Sequence, residues 1–453
     1  METVALVKSR KKSFAILIGL LLFFLGMLAA YGVGVYNDSD QYITMHIHRE
    51  PLYPLFLLLF RVIGGDGYLV AAAAAQNILA AVSIYVLSEY LAARFGLKTW
   101  EELVVVALQL MPHLMTKYVS ALSIFLENSV MSEALCIPLF QLFLYFLLRM
   151  IFEGRKRDMA LALLLAFLLS MTRGQMMSAI LIWMVVLAFQ MLLQKKYRLI
   201  VLTVVITLAV FGLRSLSVHV YNYAVTGYFM GNTYGQVNTL TNVIYACDEE
   251  DGGVFEEGSL ERQFFDRFYA QADELTANYK YGGDTLTGQV QHLEEYHDML
   301  KFQVLEANLS AYYFGLGEVD YYEQSSMSDE MAGVMIRALL PECFGQWLYD
   351  YLLLCGYGFV RSIAVVHPLI NWAALFLYAA AAVLAVWQLR RRKSSDAVWV
   401  MGVALLFICA NVCATSLTIM CLSRYMIYGF SIFYIALFLL GREWMQNNKL
   451  KRG

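Results

Sequence analysis

The chain has 453 residues, of which 60% are hydrophobic and 15% are charged, and its formal net charge is −3. A mean hydropathy of +0.58, with apolar blocks as long as a roughly 30 Å hydrocarbon core, excludes an ordinary water-soluble protein. Six prolines and abundant Leu, Ala, Phe and Tyr favour helices over an outer-membrane barrel. We predict an all-α, polytopic integral membrane protein with membrane lipids as partners and no nucleic-acid partner.

Ten apolar segments are predicted to cross the membrane as helices. A shorter apolar run, 52–63, is interrupted by Pro51 and Pro54 and predicts an interfacial or re-entrant helix, since about a dozen residues cannot cross the hydrocarbon core. The predicted spans are 14–36, 68–91, 103–122, 131–151, 159–171, 176–193, 199–220, 363–388, 397–419 and 426–440.

Basic residues predict the orientation of these spans. By the positive-inside rule, the turns that carry Lys and Arg clusters are cytoplasmic. Those clusters are 8–12, 94–98, 155–157, 195–198, 390–393 and 449–452. We therefore expect a multi-pass protein of the plasma (cell) membrane with both termini in the cytoplasm. Each pair of successive cytoplasmic turns then encloses an even number of crossings.

This topology divides the chain into an N-terminal transmembrane module at 1–220, which contains the candidate catalytic residues described below, an extracytoplasmic insertion at 221–362, and C-terminal transmembrane helices at 363–453. Apolar and aromatic residues recur at helical spacing in 259–279 and 288–309, so the insertion is predicted to be mostly helical. Its cysteines, which could include one disulfide, are Cys247, Cys343 and Cys355.

Two aspartates directly follow the first predicted span. Asp38 and Asp40 lie at the predicted outer surface, where either could act as a general base in a pocket bounded by the membrane. The alternative is a solvated turn, because Asn, Asp and Ser are favourable turn residues. The sequence does not choose between the two aspartates, although the nearby Tyr42 slightly favours Asp40 by ordering its loop.

A second acidic feature lies in the predicted outer turn between the third and fourth spans. Glu127 and Glu133 would bring carboxylates to the same membrane level as the aspartates. Glu127 could instead be a loop charge, and Glu133 could be a first-turn acid that the helix dipole favours.

Five cations lie on the predicted outer side, against the positive-inside trend. A phosphate anion is a natural partner for them, because guanidinium groups bind phosphate with paired hydrogen bonds. The alternative for each is pairing with a carboxylate or with backbone carbonyls. These cations are Arg49, Lys117, Arg173, Arg361 and Arg424.

Two histidines accompany the first acidic site. His46 and His48 could ligate a divalent metal ion together with Asp38 or Asp40, although their i, i+2 spacing is no established metal signature. The alternative is that the chain uses no cofactor.

The order of these features resembles the C-type (GT-C) glycosyltransferase superfamily, which includes protein O-mannosyltransferases and aminoarabinose transferases. The resemblance covers about two thirds of the chain. It rests on the following segments in this order: Asp38 and Asp40 after the first span, Arg49–Pro54, Ser132–Glu133, Thr172–Arg173, and Arg424–Tyr425. The large insertion departs from those family members whose soluble domain is C-terminal, and it leaves the acceptor open.

The resemblance implies an enzyme that transfers a hexosyl or pentosyl group, with inversion, from a polyprenyl-phosphate sugar to a lipid, glycan or protein acceptor of the cell envelope. Asp38 or Asp40 would be the base, and Arg173, Arg361, Arg424 or Lys117 would stabilise the leaving phosphate. Glu127 and Glu133 would position the acceptor or hold a metal ion. The alternatives are a transporter or flippase of lipid-linked saccharides, and an assembly protein whose insertion binds a wall component.

Overall fold

The computed structural model describes residues 2–119, 125–391 and 395–449. The end of the predicted span 103–122 and parts of the basic clusters 390–393 and 449–452 lie outside the described residues. Within the described ranges the chain is helical, and its only β-type pairing is an isolated bridge between Gly34 and Ser129. The prediction of an all-α protein is therefore confirmed for this part of the chain.

Helices follow one another with short connections. A π-helical segment, Leu300–Glu306, joins two of them. The α-helices are α1 (Glu2–Tyr31), α2 (Asn37–Ile43), α3 (Leu52–Gly64), α4 (Tyr68–Phe95), α5 (Thr99–Val119), α6 (Ser132–Glu153), α7 (Lys156–Ser170), α8 (Met177–Leu193), α9 (Tyr197–Thr226), α10 (Gly235–Ala246), α11 (Leu260–Glu274), α12 (Leu286–Met299), α13 (Ala307–Gly315), α14 (Tyr321–Glu342), α15 (Phe344–Ile363), α16 (Pro368–Arg391), α17 (Asp396–Thr418), α18 (Ser423–Met426) and α19 (Tyr428–Lys449).

Seven of the described helical stretches are long and apolar enough to cross a membrane, so the chain is a helical, multi-pass membrane protein. They are Lys12–Tyr31, Leu52–Phe95, Ser132–Glu153, Gly174–Leu193, Tyr197–Thr226, Leu369–Arg391 and Asp396–Thr418. The predicted count of ten is not confirmed, because α5, α7 and α19 are not among the seven found in the described part of the chain. Helix α7, for example, has only 15 residues.

The helix predicted at 52–63 is present as α3, whose first turn follows Pro51, while its interfacial position stays a prediction. A 3₁₀ turn at Gly65–Gly67 separates α3 from α4, although the two helices form one apolar stretch in sequence. The first predicted span ends earlier than expected, at Tyr31. Gly32 there adopts a left-handed φ of 68°, a common way for a helix to end.

The described chain divides into two compact units. Unit 1 comprises Met1–Ser217, Val360–Asn411 and Ser423–Gly453, and unit 2 comprises Val218–Phe359 and Val412–Leu422. The divisions lie three residues before the predicted boundaries of the insertion. The segment Val412–Leu422, predicted as part of the C-terminal helices, groups with unit 2.

Unit 2 is built around aromatic side chains. Phe264, Phe265 and Phe268 of α11 are at most 3% exposed and form one apolar core with α10, α13 and α14. Ser259 caps α11 by accepting a hydrogen bond from the backbone amide of Arg262 at 3.1 Å. The predicted helices at 259–279 and 288–309 are thus present, the second as α12, the π segment and the start of α13.

The cysteines of the insertion are free thiols, as are the other described cysteines. Cys247 and Cys343 lie buried in the unit 2 core, where their thiols are within hydrogen-bonding contact of each other. Cys355 lies instead beside Cys413. The disulfide considered from the sequence is not formed in this structure.

Three loops of unit 1 are tied together at one end of its helices. Gly34 forms two backbone hydrogen bonds with the 128–130 segment. Its amide donates to Asn128 O at 2.9 Å, and its carbonyl accepts from Val130 N at 2.8 Å. The amide of Leu52 donates to Met171 O at 2.8 Å. The loops after α1, before α6 and after α7 therefore meet.

Candidate functional site

The loop after α1 folds into the short helix α2, which orients the two aspartates. The buried Ser39 hydroxyl accepts from Tyr36 N and donates to Val130 O, each at 2.8 Å, so α2 is fixed against the loop before α6. Residues two apart on a helix point to different sides. Asp38 faces a group of arginines, whereas the exposed Asp40 carboxylate has no hydrogen-bond or ion-pair partner among the described residues.

Arg49 links Asp38 to the neighbouring side chains of α2. Its Nη2 lies 2.9 Å from Asp38 Oδ1, and its Nε donates to Gln41 Oε1 at 2.7 Å. The guanidinium also lies over the Tyr42 ring, 4.9 Å from its centroid. These contacts use several donors of one planar group, which fixes its orientation.

A second arginine is buried deeper. Arg173 forms an ion pair with Glu133 at 2.6 Å and donates to the Ser132 hydroxyl at 3.1 Å. Ser132 in turn bonds the Tyr42 hydroxyl at 2.9 Å. Burial, the largest single influence, lowers the pKa of Arg173, but the Glu133 carboxylate and the neighbouring tyrosines together raise that pKa well above its ordinary value. Arg173 is therefore a permanent cation.

A third arginine arrives from the segment before α19. Arg424 Nη1 lies 3.7 Å from Asp38 Oδ2, and Nη2 donates to the Tyr425 hydroxyl at 2.7 Å. The Tyr425 ring lies under two guanidinium groups, with Arg424 at 4.8 Å and Arg173 at 5.3 Å from its centroid. Asn411 and Gln175 hold the Tyr425 carbonyl by hydrogen bonds of 2.9 and 3.2 Å.

These contacts define what we call the arginine cluster, which consists of Asp38, Arg49, Glu133, Arg173 and Arg424. It contains three cations and two carboxylates, and thus one excess positive charge. Its exposure rises from 5% at the Glu133 side chain, through 15% at Arg173, to 30% at Arg424 and 32% at Asp38. The cluster therefore has a closed end at Glu133 and an open end, where Asp38 and Arg424 are partly exposed.

The other predicted site residues lie elsewhere. The Lys117 ammonium lies over the rings of Tyr31 and Phe125, at 4.7 and 5.0 Å from their centroids. Arg361 is partly buried in the last turn of α15. The structure thus joins Asp38, Arg49, Glu133, Arg173, Arg424 and Tyr425, while Asp40 and Lys117 take no part in the contacts of that cluster.

Glu127 belongs to a separate buried network. Its carboxylate pairs with His113, and both side chains are at most 2% exposed. Its backbone carbonyl accepts hydrogen bonds from Gln76 at 2.9 Å and Asn77 at 3.1 Å. Glu127 thus has a buried partner, and its carbonyl anchors the 125–130 segment, which precedes Glu133, to α4.

The predicted metal ligands His46 and His48 lie side by side, with ring centroids 4.4 Å apart. Burial and the nearby Arg49 lower the pKa of His46, which favours the neutral ring that can ligate a metal. No group of three or more His, Cys, Asp or Glu side chains in the described ranges is arranged to hold a metal ion. Any metal at the two histidines would need ligands from the substrate or water.

One ion pair near the site was not anticipated from the sequence. Glu50, directly after Arg49, pairs with Arg214 of α9, and both side chains are at most 15% exposed. A Cβ placed at Gly174 would lie 3.4 Å from Glu50 Oε1, so this pair borders the turn that carries Arg173. An arginine inside the predicted span 199–220 was the available signal, because ionisable residues within spans need a partner.

Comparison of the chain with family models, with curated proteins and with solved structures found no match.

Proposed function

We propose that this protein is a membrane glycosyltransferase that moves a sugar, with inversion, from a polyprenyl-phosphate donor to an extracytoplasmic acceptor. The observation that carries the proposal is the arginine cluster, in which an excess positive charge lies beside the carboxylate of Asp38. A phosphate group fits this charge, and a carboxylate beside the phosphate can accept the proton of an attacking hydroxyl.

In this proposal the acceptor oxygen attacks the anomeric carbon of the donor sugar. The bond from that carbon to the phosphate oxygen breaks, the phosphate leaves with the electron pair, and the hydroxyl proton passes to Asp38. The donor is a phosphodiester with one negative charge, and the leaving polyprenyl phosphate carries more. Positive charge already fixed in place stabilises this change without reorganisation.

Arg424 would respond to the donor phosphate. Its contact with Asp38, at 3.7 Å, is longer than the 2.9 Å contact of Arg49. A phosphate that draws Arg424 away would leave Asp38 with one cation fewer, which raises its basicity at the moment when a base is needed. Arg173, held by Glu133, would bind the phosphate from the closed end.

Glu133 and Tyr425 would then be positioning residues. Glu133 holds Arg173 through a 2.6 Å ion pair, and the Tyr425 ring supports Arg173 and Arg424 from one face. The sequence left open a role of Glu133 in binding the acceptor or a metal ion. Its pairing with Arg173 favours the positioning role.

The test is transfer from radiolabelled polyprenyl-phosphate sugars in membranes that contain the full chain. We expect Asp38→Asn to lower transfer about a hundredfold or more, as loss of a general base does. Asp40→Asn should stay within about threefold of wild type, because the exposed Asp40 carboxylate has no partner in the cluster. Asp66→Asn, in the exposed turn between α3 and α4, is the matched control.

Other outcomes would overturn parts of the proposal. Loss of transfer in Asp40→Asn but not in Asp38→Asn would move the base to Asp40. A wild-type protein that carries labelled lipid-linked saccharide across the membrane, but transfers the sugar to no acceptor, would instead support the transporter or flippase alternative.

A further inference from the structure

A large apolar cavity lies in unit 1 at the opposite ends of α8 and α17 from those that lead to the arginine cluster. Its volume is about 510 Å³, within the roughly 300–1,000 Å³ of typical ligand sites. The C-terminal half of α8, the N-terminal half of α17 and Leu389 of α16 form its walls. We call it the α8–α17 groove.

The lining of this groove can hold only an apolar group. Phe189 and Leu193 of α8 and Leu389 of α16 are 47%, 61% and 50% exposed, so the groove opens to the side of the helices. The ring of Trp399 contacts that of Phe189, with 5.7 Å between their centroids. Ser395, a polar lining residue, already donates its hydroxyl to Glu443 at 2.7 Å.

The length of the groove along the helix axes indicates which ligand could fill it. The lining of α8 extends from Val185 to Leu193, which corresponds to about 12 Å at 1.5 Å per residue. The lining of α17 extends about 12 Å, from Val398 to Leu406, by the same rise. Half of a hydrocarbon core is about 15 Å, so the groove matches an acyl chain of one leaflet rather than a longer polyprenyl chain.

Charge at the mouth of the groove indicates the headgroup. Leu193 is followed by Lys195 and Lys196, and Leu389 is followed by Arg390 and Arg391, and all four are exposed. Two acidic residues adjoin the groove lining: Asp396, which Arg94 pairs at 2.6 Å, and Glu443, which bonds Ser395. Four exposed basic residues thus border the groove where a lipid phosphate would lie, and the two adjoining carboxylates already have partners.

From the length of the groove, its apolar lining and the basic residues at its end, we propose that the α8–α17 groove is a binding site for one anionic phospholipid. Its acyl chain lies between α8 and α17, and its phosphate lies among Lys195, Lys196 and Arg390. The site is independent of the proposed transferase activity, because it shares no residue with the arginine cluster.

Gly402 offers a direct test of the acyl-chain part. It faces the groove from α17, and a Cβ placed on it would meet no atom within 4 Å. Gly402→Leu should therefore fill the groove without disturbing the helix packing. Gly19→Leu, at another exposed helical glycine with open space, is the matched control in α1.

The experiment is native mass spectrometry of the full chain released from nanodiscs of equimolar phosphatidylglycerol and phosphatidylcholine. Wild type should retain one phosphatidylglycerol in about fivefold preference or more, as expected for a few basic groups at a lipid headgroup. Gly402→Leu should lose this lipid and Gly19→Leu should keep it. The triple variant K195Q/K196Q/R390Q should retain lipid but lose the preference.

Three results would overturn the proposal: equal retention of both lipids by wild type, unchanged retention by Gly402→Leu, or displacement of the phospholipid by an equimolar polyprenyl phosphate. The first and third need only wild-type protein, so they hold even if a variant fails to fold. Neither depends on sugar transfer, which keeps this test separate from that of the proposed function.

Discussion

The two units differ in whether they bury both partners of an ion pair. Unit 1 places an arginine and a carboxylate, Arg173 and Glu133, among its helices at 15% and 5% exposure. Unit 2 buries rings, such as Phe265 and Phe268, and keeps ion pairs such as Arg262–Asp266 near its surface. Because a buried charge is costly unless it is paired, we expect chemistry in unit 1, where both partners of the Arg173–Glu133 pair are buried.

The difference also separates stability from function. A buried ion pair often adds little to stability compared with an apolar pair of similar volume, whereas a buried aromatic ring contributes several kcal/mol. A loss of stability caused by removing one charge of the arginine cluster should therefore be restored when its partner charge is also removed. The loss of activity should not be restored. Substitutions in the unit 2 core should change stability alone.

The largest effect is expected at Arg173. Arg173→Met leaves Glu133 buried without its cation and should destabilise unit 1 by about 3–5 kcal/mol, besides abolishing transfer. The double variant R173M/E133M removes both charges and should return to within about 1–2 kcal/mol of wild type. Thermal unfolding in detergent and the transfer assay measure the two effects. Recovery of transfer in the double variant would contradict the role of Arg173 in phosphate binding.

A similar loss of stability is expected from a substitution in unit 2, but without a direct effect on the arginine cluster. Phe265→Ala empties a position that is 0% exposed and should destabilise unit 2 by about 3–5 kcal/mol. Phe314→Ala, at a ring that is 71% exposed, is the control and should change stability by less than about 0.5 kcal/mol. Hydrogen exchange of peptides from 235–315 measures this local stability. Equal effects of the two substitutions would contradict the core described above.

Unit 2 should also respond to pH through Asp350 of α15. This side chain is 9% exposed, its Oδ1 accepts from Gln346 Nε2 at 3.0 Å, and its Oδ2 has no partner among the described residues. Burial raises the pKa of Asp350 to about 7, against an ordinary value near 3.9. The folded state thus binds the proton more tightly than the unfolded state.

Stability is therefore highest below about pH 4 for this group and falls as the pH rises to about 7, by up to about 4 kcal/mol. Asp350→Asn should flatten that dependence and stabilise unit 2 at pH 8. Asp284→Asn, at an exposed aspartate, should leave the dependence unchanged. Pulse proteolysis in denaturant at pH 5 and pH 8 measures the difference, and an unchanged slope in Asp350→Asn would refute the assignment.

The smallest effect is expected at a pair of adjacent glycines. A Cβ at Gly252 would collide with the ring of Phe265, whereas one at Gly253 would meet nothing within 4 Å. Gly252→Ala should cost unit 2 about 1–3 kcal/mol and Gly253→Ala much less. The same hydrogen-exchange measurement compares them. Equal effects would mean that the Phe265 ring can move aside.

Local patterns in the sequence predicted most helices and several members of the site. The predicted span 131–151 differs from α6 by one residue at its start and two at its end. Arg173 and Arg424 stood out because they are cations at span ends away from the basic turns. These features are readable because hydrophobic length, helix termination and charge placement depend on residues close together in the chain.

The sequence by itself determined that the chain is a helical membrane protein. It also placed cations and carboxylates at the ends of successive apolar segments. Only the tertiary structure decided that Asp38 rather than Asp40 meets Arg49, that Glu127 pairs with His113, and that Glu50 pairs with Arg214. The reason is that the direction of a side chain on a short helix depends on how distant segments pack, and so does the pairing of residues such as Glu50 and Arg214, which are 164 positions apart.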